Sequence, residues 1–240
     1  MKDIINKLLG FFNLKLVKKR VFEIHNSDFY LHQYSSFKDY EKVQVTHNIR
    51  KINRVWADEN SLNFIIDYLK DEDENIKGIC HGSRNGFEQN FFNKVNSFEV
   101  IGTDISPSAN DYENSVVWDF HNVNNDWVSN FDFVYTNSLD QSFKPSLAIE
   151  TWLNQLKPNG YLFIEHSKDH SPKGAGEMDP FGVKPNVFCH ILVSWFGHQI
   201  SFDYKKIIKS NINQPTYVFI IRKNIPTASI VNRPIEDFNL

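Results

Sequence analysis

Two short stretches of this chain hold the residue types that could do chemistry. The first runs Glu165-His166-Ser167-Lys168-Asp169-His170 and continues through Lys173, Glu177 and Asp179 to Gly182. It is long for a strand-to-helix connection, and loops of that length are commonly functional. His170 and His166 belong to the one residue type that titrates near neutrality unperturbed. Either therefore suits removal of a proton from a hydroxyl nucleophile. Asp140, in Asn137-Ser138-Leu139-Asp140, offers a carboxylate for the same task or for orienting an amine. His166, His170, Asp140, Asp169, Glu177 and Asp179 also supply nitrogen and oxygen donors, but their spacing matches no specific metal signature, and no metal is assigned. The plain alternative is a polar surface loop whose histidines only face water.

The second stretch, Ile76 to Ser106, reads IKGICHGSRNGFEQNFFNKVNSFEVIGTDIS. A short apolar run, a Gly-x-x-x-Gly loop, an amphipathic segment and a second apolar run ending in aspartate predict strand, tight turn, helix and strand. Gly82 and Gly86 allow backbone to approach a ligand where a Cβ would block it. Asp104 follows the loop by about 20 residues, the window in which such folds place an acid on a ribose. A dinucleotide would want G-x-G-x-x-G, so that a pyrophosphate nests on the helix N-terminus. Here Arg84 takes the middle glycine's place, and Glu88 brings negative charge to the helix's first turn. A nucleoside-bearing cofactor without phosphates suits this loop better.

The order of motifs extends further. Val116-Val117-Trp118-Asp119-Phe120 reads as a third strand and Phe131 to Ser138 as a fourth. A helical pattern covers Leu147 to Leu156, and Lys157-Pro158-Asn159-Gly160 turns into a fifth strand, Tyr161 to Glu165. Gln199 to Tyr204 and Tyr217 to Arg222 suggest a closing hairpin. Taken together, Ile76 to Lys223 resembles the class I S-adenosylmethionine-dependent methyltransferases. That resemblance implies an α/β fold: a Rossmann-like, mostly parallel sheet with an antiparallel last strand, helices on both faces and a helical N-terminal layer. It also implies S-adenosyl-L-methionine as cofactor, with Gly82, Ser83, Arg84, Gly86 and Glu88 in the loop around it. Asp104 would meet the ribose hydroxyls and Asp119 the adenine amino group, with Ile105 and Phe120 also among the cofactor-binding residues, and Asn137 and Ser138 would stand beside the transferable methyl.

The remaining sequence bounds the function. With 240 residues, 41% hydrophobic content and a net charge of −3, the chain suits one α/β domain and offers no basic field for nucleic acid. The Asn-Pro-Pro-Tyr type of signature used on nucleobase nitrogens is missing after the fourth strand, and Asp179-Pro180-Phe181 lies after the fifth. Cys80 and Cys189 make no disulfide framework, so a reducing, cytoplasmic setting is expected. No apolar run is long enough to cross a membrane.

The expected organisation is an N-terminal helical segment (1–70), a cofactor-binding domain (71–224) and a tail (225–240). Residues 1–20 hold six lysines and arginines against Asp3 alone. They read either as a basic amphipathic helix lying on a membrane surface or as a helix packing on the domain or on a second subunit. Phe37 to Lys70 reads as helical, with Val43, Val45, Ile49, Ile52, Val55 and Trp56 as an apolar stripe. Asp58 to Ser61 caps a second run from Leu62 to Leu69. Lys51, Arg54 and Trp56 stand within reach of a site, or Trp56 belongs to the core. His190, in an apolar run, reads as a core histidine. The function expected is methyl transfer to a small polar acceptor, favouring an oxygen on a sugar or sugar-like metabolite, as in glycan biosynthesis. Alternatives are N-methylation of an amino sugar or small amine, or a non-catalytic cofactor-binding partner subunit.

Overall fold

The computed structural model describes residues 24–25, 28–70, 75–211 and 213–224. The expectations for residues 1–20 and for the tail from 225 lie outside the described residues. Among those described, no helix is long and apolar enough to cross a membrane.

In chain order the elements are β1 (Ile24–His25), β2 (Phe29–Leu31), α1 (Phe37–Arg50), α2 (Glu59–Leu69) and β3 (Ile76–His81). Then follow α3 (Phe87–Phe92), β4 (Phe98–Asp104), β5 (Ser115–Val117), β6 (Phe131–Thr136) and α4 (Pro145–Gln155). The chain closes with β7 (Leu156–Ser167), β8 (Phe181–Val183), α5 (Pro185–Phe196), β9 (Ile200–Ile208) and β10 (Pro215–Lys223).

Seven strands form one sheet in the order β5-β4-β3-β6-β7-β10-β9. β3 pairs in parallel with β4 (Ile79↔Ile101) and with β6 (Ile79↔Val134). β10 runs antiparallel between β7 and β9. The central strands are apolar on both sides because both faces are covered. On one face α4 and α5 press Ile149, Trp152, Phe188 and Leu192 against Ile79, Val134, Leu162 and Ile221. On the other, α2 and α3 bring Leu62, Ile65 and Phe92 to Cys80, Tyr135, Phe163 and Val218. Each of these apolar side chains contributes roughly 1.5–3 kcal/mol on burial. α2 thus shares the core of the main sheet, and Asp58 caps it by accepting from the Asn60 N–H at 3.1 Å. The chain leaves β3 in one direction for β4 and β5, then returns for β6 and β7. Such a reversal opens a crevice at the carboxyl ends of β3 and β6.

Four features depart from the sequence expectations. The stretch from Glu165 to Gly182 is not all loop: β7 runs on to Ser167, Lys168–His170 form a 3-10 turn, and β8 begins at Phe181. β8 joins β2 (Phe29↔Val183) in a small antiparallel sheet with β1, a pairing of sequence-distant segments that no local pattern announces. α1 buries Tyr40, Gln44 and Asn48, whereas Ile49, Val55 and Trp56 are exposed. Its inward face is polar because it covers a site and not the core. His190 is likewise exposed on α5, not in the core.

Candidate functional site

The crevice is built around Asp104. Its carboxylate, at the end of β4, accepts the Arg84 N–H at 3.0 Å and the Ser106 N–H at 2.8 Å, which staples the glycine loop to the second strand. The Asn48 side chain of α1 lines the same pocket, its Oδ1 accepting the Ser108 hydroxyl at 3.2 Å. Burial pushes the Asp104 pKa up, and the Ser106 and Arg84 amides pull it back. Gly82 and Ser83 both donate to the Thr103 carbonyl at 2.9 Å. Arg84 sits at φ 41°, in the left-handed region. An L-residue enters that region at a cost of about 1–2 kcal/mol, where a glycine would be unstrained.

Gly82, Arg84, Asp104, Ile105 and Phe120 line a small cavity, and Tyr40, Gln44 and Asn48 of α1 close it together with Met178 and Asp179. Gln44 Nε2 donates to the Met178 carbonyl at 3.0 Å, and the Tyr34 hydroxyl to the Glu177 carbonyl, so α1 and the preceding turn are tied to the segment before β8. The enclosed volume is about 20 Å³, room for a single water. That space is too small for a nucleoside. The polar stripe Tyr40-Gln44-Asn48, at helical spacing, is the signal in the sequence that would have found this wall.

A second cleft of about 540 Å³ adjoins the first and shares Lys51, Arg84, Gln141 and Asp179 with it. That size suits a small-molecule site. Asn137, Ser138, Asp140 and His170 stand on its walls, with Trp56 at its rim. Asp140 lies in the 3-10 turn after β6. Its Oδ1 is buried without a hydrogen-bond partner, and its Oδ2 is 3.7 Å from His170 Nε2. Burial first, then the charge of Asp179, holds the Asp140 pKa well above the usual carboxylate range, and burial raises Asp179 too. His170 Nδ1 accepts the Ser167 N–H at 3.3 Å, which assigns the ring proton of the neutral imidazole to Nε2, facing Asp140. Burial, His166 and Lys209 keep the His170 pKa well below its usual value. The contact thus places the imidazole Nε2 beside the Asp140 carboxyl group.

The structure does not bring the other predicted residues to these walls. His166 is buried. Its Nε2 donates to the Val183 carbonyl at 2.9 Å, and its ring stacks on Phe188 at 5.7 Å. Burial drops its pKa to about 4, so it fastens β7 to β8 and is corrected from candidate base to structural residue. Glu88 is also buried away from both clefts, and burial pushes its pKa up to about 8. It is mostly uncharged at neutral pH, so the negative charge expected in the helix's first turn is not there. Ser83 packs under the loop, Gly86 caps α3 at φ 76°, and the Asp119 carboxylate accepts from the His121 backbone at 3.1 Å. The missing Cβ of Gly82 leaves space that Ser138 fills: a methyl there would lie 2.5 Å from Ser138 Cβ. Arg54 contributes only its carbonyl, which receives the Arg84 guanidinium at 3.3 Å. Among the described residues no group of three or more His, Cys, Asp or Glu is placed to hold a metal ion.

No protein-family model matches the sequence, and no curated protein matches it. Solved structures do. The chain is similar to the Burkholderia thailandensis 1,6-didemethyltoxoflavin-N1-methyltransferase with bound 1,6-didemethyltoxoflavin and S-adenosylhomocysteine, at 12% identity and a TM-score of 0.60 over 85% of this chain and 100% of that one. It is similar to a TehB-like SAM-dependent methyltransferase from Corynebacterium glutamicum at 15% identity and a TM-score of 0.50, covering 78% and 98% of the two chains. It is also similar to the [4+2]-cyclase SpnF, at 12% identity and a TM-score of 0.57 over 84% and 100%. The fold is that of the class I methyltransferases. A cyclase among the neighbours shows that this fold alone does not select a reaction.

Proposed function

We propose that this chain, which has the class I methyltransferase fold, binds S-adenosylmethionine at the ends of β3, β4 and β6 and methylates a small polar acceptor held in the larger cleft. One observation carries the reading. The Asp104 carboxylate is buried at the end of β4, bonded to the glycine-loop amide of Arg84, on the wall of a pocket that includes Gly82 and Phe120. A carboxylate in that place suits a ribose diol, and the Phe120 ring supplies an apolar face for a purine. The residues present therefore fit the nucleoside in kind, with α1 as the part that must yield.

S-adenosylmethionine supplies an electrophilic methyl on a sulfonium, so the protein has to align the acceptor and receive a proton. Asn137 and Ser138 stand at the end of β6 beside the shared wall of the two clefts. The Asp140 carboxyl group, on the wall of the cleft, receives the proton of a hydroxyl acceptor. Its raised pKa moves its basicity toward neutrality, where a general base works best. His170, tethered through Nδ1 to the Ser167 amide, holds its Nε2–H toward Asp140 Oδ2 and positions that carboxyl group. An oxygen of a sugar or sugar-like metabolite is the acceptor this arrangement favours. The Asp140 and Asp179 carboxyl groups together favour a second reading, an amino sugar or small amine whose N–H groups they would orient. A non-catalytic binder would keep Asp104 and the loop but has no use for a carboxyl group and an imidazole side by side on the wall of the acceptor space.

Calorimetry with S-adenosylhomocysteine on wild type and Asp104→Asn tests the cofactor assignment. Methyl-labelled S-adenosylmethionine with panels of hydroxy and amino sugars tests the transfer. The variant should bind about 10- to 100-fold more weakly, the equivalent of one charge-assisted hydrogen bond. Undiminished affinity refutes the assignment.

A further inference from the structure

The acceptor cleft gathers more positive charge than its own carboxylates answer. Lys51, Arg84, Lys168, Lys173 and Lys209 all stand on its walls. None of the five makes an ion pair with a carboxylate among the described residues, whereas elsewhere Lys157 lies 2.8 Å from Asp132 and Lys184 2.7 Å from Asp28. Four carboxylates share the cleft, Asp140, Glu165, Asp169 and Asp179. Glu165 accepts the Tyr135 hydroxyl at 2.9 Å and the Asp58 N–H at 3.4 Å. Burial brings its pKa up to about 7, which leaves it only partly charged at neutral pH. Burial and the nearby charge of Asp179 raise the Asp140 pKa, and burial raises that of Asp179. Asp169 alone is exposed.

Arg84 adds an independent observation. Its Nε is buried with no hydrogen-bond partner, and its guanidinium makes a single bond to the Arg54 carbonyl. Its backbone holds the left-handed conformation that a glycine would adopt without strain. Backbone strain of this kind collects at ligand-binding positions, and here it delivers a planar fork of N–H donors to the junction of the two clefts.

We infer that the acceptor carries an anionic group, a phosphate or a carboxylate, received by Lys209, Lys168 and Lys173 in the cleft and drawn toward Arg84 and Lys51 at its inner end. This deepens the methyltransferase reading and rests on it. Lysines hold such a group as point charges and arginine as a fork, so the site accepts either anion, and the preference between them names the group.

The test measures binding of glucose 6-phosphate, glucuronate and neutral glucose to the full chain by ligand-observed NMR, with S-adenosylhomocysteine affinity followed by calorimetry. At least one charged sugar should bind about ten-fold or more tightly than glucose and lose affinity as salt rises. Lys209→Met, and separately Lys168→Met with Lys173→Met, should each weaken it by about ten-fold while S-adenosylhomocysteine affinity holds. Glucose binding as well as its charged counterparts overturns the inference. So does failure of both charged sugars to bind, or charged-sugar binding that survives Lys209→Met. A loss of S-adenosylhomocysteine affinity in Lys209→Met also overturns it, because the lysine would then serve the cofactor. Wild type that binds the anions through these lysines but not S-adenosylhomocysteine refutes the methyltransferase reading and leaves the anion site standing.

Discussion

Replacing Gly82 with alanine asks whether the glycine loop is shaped by ligand space or by the protein's own packing. Gly82 sits at φ 73°, where an L-residue costs about 1–2 kcal/mol. The new methyl would lie 2.5 Å from Ser138 Cβ and 2.6 Å from its Oγ, so the end of β6 must shift. Overpacking of that kind costs about 1–3 kcal/mol. Together the two effects come to roughly 2–5 kcal/mol, a large part of a typical domain stability of about 5–15 kcal/mol. Ser138→Gly removes both crowding atoms and leaves the backbone strain. In a double-mutant cycle, Gly82→Ala with Ser138→Gly should therefore recover about 1–3 kcal/mol relative to additivity. Urea denaturation of the four proteins measures this, with S-adenosylhomocysteine affinity recorded on each. A Gly82→Ala protein as stable as wild type, or a coupling near zero, refutes the packing argument. Unchanged stability with lost affinity would return the glycine to the ligand.

Three further outcomes follow from the same geometry. Asp140→Asn should lower methyl transfer by about 10²- to 10⁴-fold with cofactor affinity preserved, whereas His166→Ala should lower stability and spare turnover per folded molecule. An equal kinetic loss in both contradicts the assignment of the base. Glu88 has a pKa near 8 when folded against an ordinary 4.5. Over that interval the folded state keeps a proton the unfolded state has released, so stability falls as pH rises from about 4.5 to about 8, by up to ~1.4 kcal/mol per pH unit. Buried His81 and His166, both near pKa 4, act oppositely but only below about 6.5, whereas Glu165, half-titrated near 7, adds to the fall. Glu88→Gln should thus flatten the stability curve between pH 7 and 8, and an unaltered slope counts against the burial argument. Finally, Gln44→Ala cuts the bond from α1 to the Met178 carbonyl and should speed S-adenosylhomocysteine association in stopped-flow mixing. An unchanged rate would mean that α1 does not gate the pocket.

Local sequence pattern was enough to find the strands of the sheet and the turn and strand ends that border the crevice. Apolar runs bounded by turn residues located β3, β4, β6 and β10, because strands covered on both faces need apolar side chains on both faces. Gly82, Asp104 and Ser138 were legible for the same local reason: a tight turn and a strand end are each set by neighbours within a few residues. The tertiary structure alone decided which polar groups face the clefts. Tyr40, Gln44 and Asn48 are an unremarkable stripe until α1 lies over Asp104, and the apolar stripe expected on that helix turned outward instead. His166 and His170 are equivalent as residue types in a loop. Extension of β7 to Ser167 and pairing of β8 with β2 bury the first against Phe188 and leave the second facing Asp140. Glu88 reads as a charge in the chain and stands as a neutral acid in the fold, since desolvation depends on what surrounds a group in space and not on what precedes it in sequence.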